Sequence, residues 1–142
     1  MGDTTLVYED DMLRIYWNEQ GRHFLADWLG VFRKGDPLRR AYQACVEQAR
    51  ARQPSVWLAD ISKLQVLDPA DAQWVADCFL PEFTRAGVRY MAGVSPQKAV
   101  SKMSVGRATT SLVNLNGLET STHANRAEAE AAIAAWWKKR EG

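Results

Sequence analysis

Carboxylates with the spacing of a possible site follow one apolar run of the sequence. Asp60 ends the run, and Asp68 and Asp71 follow it, with Ser62 and Trp74 in the same stretch. Asp60 and Asp68 could converge at the carboxyl edge of an open α/β sheet and there bind a ligand or exchange protons. In the structural alternative, Asp68 caps a helix and Asp60 accepts hydrogen bonds from loop N–H groups. The sequence favours the structural role, then partner binding, then acid–base chemistry.

The other reactive side chains form no catalytic or metal-binding pattern. The two histidines, His23 and His123, lie at the ends of predicted strands, where surface or capping roles are expected. No HExxH, Gly-x-Ser-x-Gly, phosphate-loop or dinucleotide fingerprint is present. Cys45 and Cys78 lack CxxC spacing, so both are predicted to be small buried thiols. We therefore expect a protein that is not an enzyme and binds no metal and no cofactor.

Six tryptophans are many for 142 residues. They could line a cavity for an apolar ligand, or they could form core and interface. Trp136 and Trp137 are adjacent, so they point about 100° apart on a helix and one is predicted to lie off the core face. Trp74 likewise flanks the predicted apolar stripe of its helix, so it too is expected to lie partly off the core face. Exposed aromatic residues beside a kinked helix are typical of a protein interface, including that of a homodimer.

A strand, a loop and a helix must position the carboxylates. Val56–Ile61 has the nearly continuous apolar character of a central strand covered on both faces. Asp68-Pro69 predicts a helix start, and Asp71 places negative charge in the first turn. Apolar residues then recur every three or four positions. Pro81 lacks an N–H donor, so we expect a kink or break there and a last turn closed by Gly87.

The remaining sequence alternates strand and helix patterns. Predicted strands cover residues 6–9, 13–17, 24–32, 56–61, 88–94 and 118–123, and predicted helices begin near residues 36, 69, 96 and 126. The first three strands form an antiparallel meander, whereas the later βα units require parallel pairing. We expect an α/β fold, one mixed sheet that is parallel at its centre, and about four helices. No repeat or linker divides residues 1–142, which predicts a single domain.

Composition excludes several functional classes. The net charge of +1 gives no general attraction to nucleic acid. No apolar run approaches the roughly 20 residues that span a bilayer. The first residues, MGDTTLVYEDD, lack the basic and apolar regions of a signal peptide. We therefore expect a cytoplasmic protein with no membrane span.

The stretch VWLADISKLQVLD resembles the strand and loop of STAS domains, the fold of bacterial anti-sigma-factor antagonists. Asp60, Ile61, Ser62 and Asp68 match that pattern. The longer pattern, WLAD followed by DPADAQW, F.P, AGVR and KMSV, is similar to a group of uncharacterised bacterial proteins with a SpoIIAA-like fold. The resemblance extends more loosely through element order from about residue 13 to residue 137. It implies a single STAS-like domain.

The chain departs from the family where the antagonists are phosphorylated. In those proteins, two hydroxyl residues and a glycine follow the second aspartate, and phosphate on a serine changes partner binding. Here Pro69, Ala70 and Asp71 occupy these positions, so no hydroxyl can accept the phosphate.

The resemblance implies a non-enzymatic regulatory or protein-interaction module without the phosphoserine switch. Its expected partner is another protein or a second copy of the chain. The expected partner surface comprises Asp60, Ser62, Asp68, Asp71 and Trp74. The alternative is a carrier or sensor that holds a small apolar ligand or lipid between sheet and helices.

Overall fold

The computed structural model describes residues 4–30, 35–63, 69–95 and 118–141. Six strands form one sheet in the order β1 to β6: Thr4–Glu9, Leu13–Asn18, His23–Trp28, Val56–Asp60, Tyr90–Val94 and Glu119–His123. Strands β1, β2 and β3 pair antiparallel, and strands β3 to β6 pair parallel. The predicted α/β fold with a mixed sheet is confirmed, although β3 ends at Trp28, earlier than the sequence pattern indicated.

Four α-helices accompany the sheet in the described residues. They are α1 (Asp36–Arg52), α2 (Pro69–Trp74), α3 (Leu80–Arg85) and α4 (Arg126–Glu141). The helix predicted to begin near residue 96 lies outside the described residues, as does Asp68. No helix in the described ranges is long and apolar enough to cross a membrane.

Apolar side chains cover both faces of the central strand β4. On one face, Trp57 packs in the larger core cluster with Phe24 and Phe83, beneath α1 and α3. On the other face, Leu58 packs with Ile133 of α4. Parallel strands that advance in one direction across a sheet place their right-handed crossovers on the same face, which explains why α1 and α3 share a side. Burial on both faces explains the continuous apolar run in the sequence.

Pro81 coincides with a distortion of the helix, as predicted, but the helix does not break. A π-helical turn, Val75–Phe79, joins α2 to α3, and the Leu80 N–H donates to the Val75 carbonyl five residues earlier. The extra residue in this turn accommodates the proline, which would clash with the preceding turn of a regular α-helix. The chain remains helical to Arg85, and Gly87 closes it with a φ of 110°.

Side-chain hydrogen bonds cap the start of helix α4. The Asn125 side chain accepts a hydrogen bond from the Glu128 N–H at 2.9 Å, and the Glu128 carboxylate accepts one from the Ala124 N–H at 3.2 Å. Trp136 is buried and stacks on Tyr90 with ring centroids 5.8 Å apart. Its neighbour Trp137 is only partly buried, as predicted for adjacent helical residues.

Candidate functional site

The first candidate region is a group of charges at the carboxyl ends of β3 and β4, here named the edge cluster (Asp27, Asp60, Ser62 and Arg126). Asp27 and Asp60 are in register on the two parallel strands. Arg126, the first residue of α4, lies between them. Its Nη2 is 3.0 Å from Asp27 Oδ1, and its Nε donates to Asp60 Oδ2 at 2.5 Å. One guanidinium therefore bridges two carboxylates and ties α4 to the sheet.

Asp60 has further partners in the loop that follows its strand. Its Oδ1 accepts from the Ser62 backbone N–H at 3.0 Å and from the Ser62 hydroxyl at 2.6 Å. Burial by itself raises the pKa of Asp60, but the hydrogen bonds from Ser62 and Arg126 and the positive charge of Arg126 outweigh it and lower the pKa below its ordinary value. Asp60 is therefore an ionised carboxylate whose two oxygens both have partners within the chain.

Asp71 is buried and joins the starts of two helices. Only 2% of the residue is exposed. Its Oδ2 accepts from the Gly35 N–H at 3.1 Å, and its Oδ1 lies 3.8 Å from Arg39 Nε. Gly35 has a φ of 79°, a conformation that favours glycine. Asp71 thus fixes the start of α2 against the start of α1 and orients the residues that follow it.

Trp74 lies one helical turn after Asp71 and lines the second candidate region, a groove of about 570 Å³ named here the interhelical groove. Helix α1 contributes Gln43, Val46, Glu47 and Arg50, and the facing helical segment contributes Trp74, Cys78, Phe79 and Glu82. The α1 residues follow the three- and four-residue spacing of one helical face. The π-helical turn carries two of the facing residues, and such turns are frequent at functional sites.

The groove combines an apolar floor with a polar rim. Val46 and Phe79 are buried, and the partly buried Trp74 ring lies 6.0 Å from Tyr42. Arg39 approaches the Trp74 ring with its guanidinium 5.5 Å from the centroid. Val46, Phe79 and Trp74 therefore offer an apolar surface to an occupant of the groove.

The polar groups on the rim differ in how they are paired. Arg50 forms an ion pair with Glu82 across one end of the groove, and Arg85 contacts the same carboxylate at 2.6 Å. The exposed side chains of Gln43 and Glu47 make no hydrogen bond or ion pair with another described residue. Two hydrogen-bonding groups are therefore available to a molecule in the groove.

The cysteines and histidines differ partly from their predicted environments. Cys45 is buried as predicted, and burial raises the pKa of its thiol. Cys78 is exposed at the groove, so its predicted burial is wrong. His23 is 3% exposed, so its predicted surface role is wrong, and burial lowers the pKa of its ring. His123 is partly exposed on β6, with Nε2 2.7 Å from Ser121 Oγ. In the described part of the chain, no group of His, Cys, Asp or Glu side chains is arranged to hold a metal ion.

Buried tryptophans pack against other aromatic rings. Trp57 lies 5.0 Å from Phe24 and 4.6 Å from Phe83, measured between ring centroids. Trp28 lies 4.8 Å from Tyr42. These rings fill the interior between sheet and helices, whereas Trp74 contributes to the surface of the groove.

Comparison with known proteins gives no significant match to a family model, a curated protein or a solved structure. The edge cluster and the interhelical groove are therefore the observations from which a function can be inferred. Five residues were expected to form the partner surface. The structure places Trp74 at the groove, Asp71 buried between the starts of α1 and α2, and Asp60 and Ser62 in the edge cluster. The fifth, Asp68, is outside the described residues.

Sequence reasoning missed Arg126 as a partner of Asp60, although two signals were present. A cation in the first turn of a helix is unfavourable because of the helix dipole, which indicates a compensating anion nearby. Asp27 interrupts an otherwise largely apolar strand. No local pattern indicates that Gln43 and Glu47 border a groove, because the groove depends on how a second helical segment packs beside the first helix.

Proposed function

We propose that this protein is a non-enzymatic regulatory or protein-interaction module of STAS-like fold that works without a phosphoserine switch. In this proposal, a partner protein binds in the interhelical groove. The observation that carries the proposal is the position of Trp74, a partly exposed aromatic residue beside Gln43 and Glu47, whose side chains have no partner among the described residues. Aromatic anchors within a polar rim are characteristic of protein interfaces.

The shape of the groove favours a short segment of a partner. Gln43 and Arg50 mark its extent along α1, a distance of about 10 Å at the α-helical rise. This length matches about two turns of a bound helix or three residues of an extended chain. Docking of a peptide into a groove between helices is a recurring mode of recognition.

The chemistry of the groove favours recognition over catalysis. Its described lining offers an amide, a carboxylate, an ion pair, a thiol and an aromatic ring, but no histidine that could activate the thiol of Cys78. At the edge cluster, Asp60 is ionised and both of its oxygens are engaged, so it is poorly suited to proton transfer.

A small apolar ligand is the second candidate occupant. The groove volume of about 570 Å³ falls within the usual range for small-molecule sites. Titration with lipids and other apolar metabolites separates the two candidates through Trp74 fluorescence. A saturable shift at low ligand concentration, absent in Trp74→Phe, would favour the carrier over the interaction module.

The experiment that tests the proposal compares variants of the tagged protein as affinity baits in a lysate of its native host. Trp74→Ala removes the aromatic anchor of the groove, and Trp137→Ala is the matched control on α4. We expect a protein that is retained by the native chain and by Trp137→Ala but lost with Trp74→Ala, with circular dichroism showing that both variants are folded. A partner retained equally by all three baits would contradict groove binding.

A further inference from the structure

The unpaired charge of the interhelical groove indicates the chemistry of its occupant, provided that the groove is the binding site proposed above. The lining carries one guanidinium, Arg50, and two carboxylates, Glu47 and Glu82. The charge of Glu82 is offset by ion pairs with both Arg50 and Arg85. Glu47 makes no ion pair with a described residue, so its carboxylate is the one available to a cation of the occupant.

An apolar surface lies beside this carboxylate. Val46 and Phe79 form the buried floor, and Trp74 presents a partly exposed ring. Lysine and arginine side chains suit such an environment because their alkyl stems pack on apolar surface while the charged group reaches a carboxylate. Arg39 already lies 5.5 Å from the Trp74 centroid, so the cation of an occupant is expected at Glu47 and its apolar side chain at the ring.

We propose that the interhelical groove recognises a protein segment in which a lysine or arginine lies beside an apolar side chain. The apolar side chain occupies the floor at Val46, Phe79 and Trp74. The cation pairs with Glu47, and Gln43 offers an amide to the backbone or to a polar side chain of the segment. A second copy of this chain or a free small molecule could occupy the same space, and the experiment below distinguishes these occupants.

The test is selection of a random 12-residue peptide library displayed on phage against the native protein, after removal of phage that bind Trp74→Ala. We expect the enriched peptides to contain a lysine or arginine within four residues of an aromatic or branched apolar residue. The inference would be overturned by enrichment of acidic peptides or of peptides without a basic residue. It would also be overturned if no peptide were found whose binding depends on Trp74.

The enriched peptides are then measured in solution by fluorescence anisotropy against charge variants. Glu47→Gln is expected to weaken the binding of a lysine peptide about 10-fold while leaving its Lys→Gln analogue unchanged. Glu47→Lys should reverse the preference between lysine and glutamate peptides. Glu130→Gln, an exposed carboxylate on α4, is the matched control and should leave both affinities unchanged.

The outcomes separate this inference from the proposed function. Groove-dependent capture of a protein whose binding is unaffected by Glu47→Gln would retain the proposed function and overturn the basic segment. A concentration-dependent dimer that is abolished by Trp74→Ala and is indifferent to Glu47→Lys would identify a second copy as the occupant and would also overturn it. Saturable binding of an apolar metabolite with no peptide selected would overturn both.

Discussion

The edge cluster and the interhelical groove contain similar chemical groups but differ in how completely those groups are paired. At the edge cluster, Arg126 contacts both Asp27 and Asp60, and Ser62 supplies two more hydrogen bonds. At the groove, Glu47 has no ionic partner among the described residues. At these two regions the folded structure, and not the sequence, decides which charged side chains are paired.

The difference follows from the number of elements that meet at each region. Two parallel strands and a helix start converge at the edge cluster, so a single guanidinium reaches two carboxylates. Only two helical segments border the groove, and its outer side is open to solvent. The edge cluster is thus suited to holding α4 on the sheet, and the groove is suited to receiving a partner.

The largest predicted effect on stability is that of Arg126→Met. Asp27 and Asp60 are mostly buried, and this change removes their cation. Because the Arg126 side chain is itself 41% exposed, we expect the free energy of unfolding to fall by about 2 kcal/mol, less than for a fully buried pair. Urea denaturation measures the loss. Arg22→Met is the control, because its ion pair with Glu141 is exposed and should contribute less than about 1 kcal/mol. Equal losses in the two variants would show that the bridge does not hold α4.

Trp74→Ala should have the reverse profile, with a large effect on binding and a small one on stability. Removal of a central aromatic anchor typically weakens an interface by about 2 kcal/mol, or roughly 30-fold in affinity. Isothermal titration with the selected peptide measures this loss. Arg126→Met, assayed at a temperature where it is folded, should bind like the native chain, and a shared binding defect would mean that the two regions are not independent.

Thiol modification compares an exposed cysteine at the groove with a buried cysteine of the core in the same protein. Cys78 is exposed at the groove, whereas Cys45 is buried and burial raises the pKa of its thiol. A maleimide should label only Cys78 in the folded protein, as read by peptide mass mapping, and the adduct should weaken groove binding because it occupies part of the cavity. Labelled protein that binds its partner normally would place the partner elsewhere, and Cys78→Ser is the control for loss of the thiol.

As the pH falls, protonation of His23 should lower the free energy of unfolding before protonation of Asp60 does. Burial lowers the pKa of His23 below its ordinary 6.5, so the unfolded chain takes up this proton first as the pH falls. Because protons then favour the unfolded state, stability should decline as the pH falls below about 6.5. Urea denaturation at pH 7.5 and 5.5 measures the decline, and His23→Leu should reduce it. An undiminished decline in His23→Leu would assign it to other groups.

Asp60 gives a second window of the same sign at lower pH. Its pKa is lowered in the folded state, so its stabilising contribution is complete above the ordinary value of 3.8 and is lost as the pH falls through the lower folded value. Asp60→Asn should flatten the stability profile below pH 4 and leave the His23-dependent region unchanged. A change near pH 6 in this variant would contradict the assignment of the two windows.

Much of the fold could be predicted from local pattern. The strand at residues 13–17, the apolar run in β4 and the helix start near residue 126 each depend on neighbours within a few residues, and the structure confirms them. Pro81 indicated a distortion for the same reason, since its missing N–H affects only the adjacent turn. The form of that distortion, a π-helical turn, was not predictable because it depends on how the segment packs against α1.

The candidate site was predictable only in part. Trp74 was identified because adjacent apolar positions on a helix cannot all face the core. The partners of Asp60 and Asp71 were not, because Arg126 lies 66 positions from Asp60 and Gly35 lies 36 positions from Asp71. Such contacts depend on strand register and on which face each helix covers, and single-residue patterns do not encode either.

The sequence by itself therefore determined most of the described strands and helices, their order, and the absence of a hydroxyl at Pro69 and Ala70. Tertiary structure alone decided which charges are neutralised and which remain available to a partner. The physical reason is that backbone periodicity and capping are short-range, whereas the pairing of a charge depends on every element that folds against it.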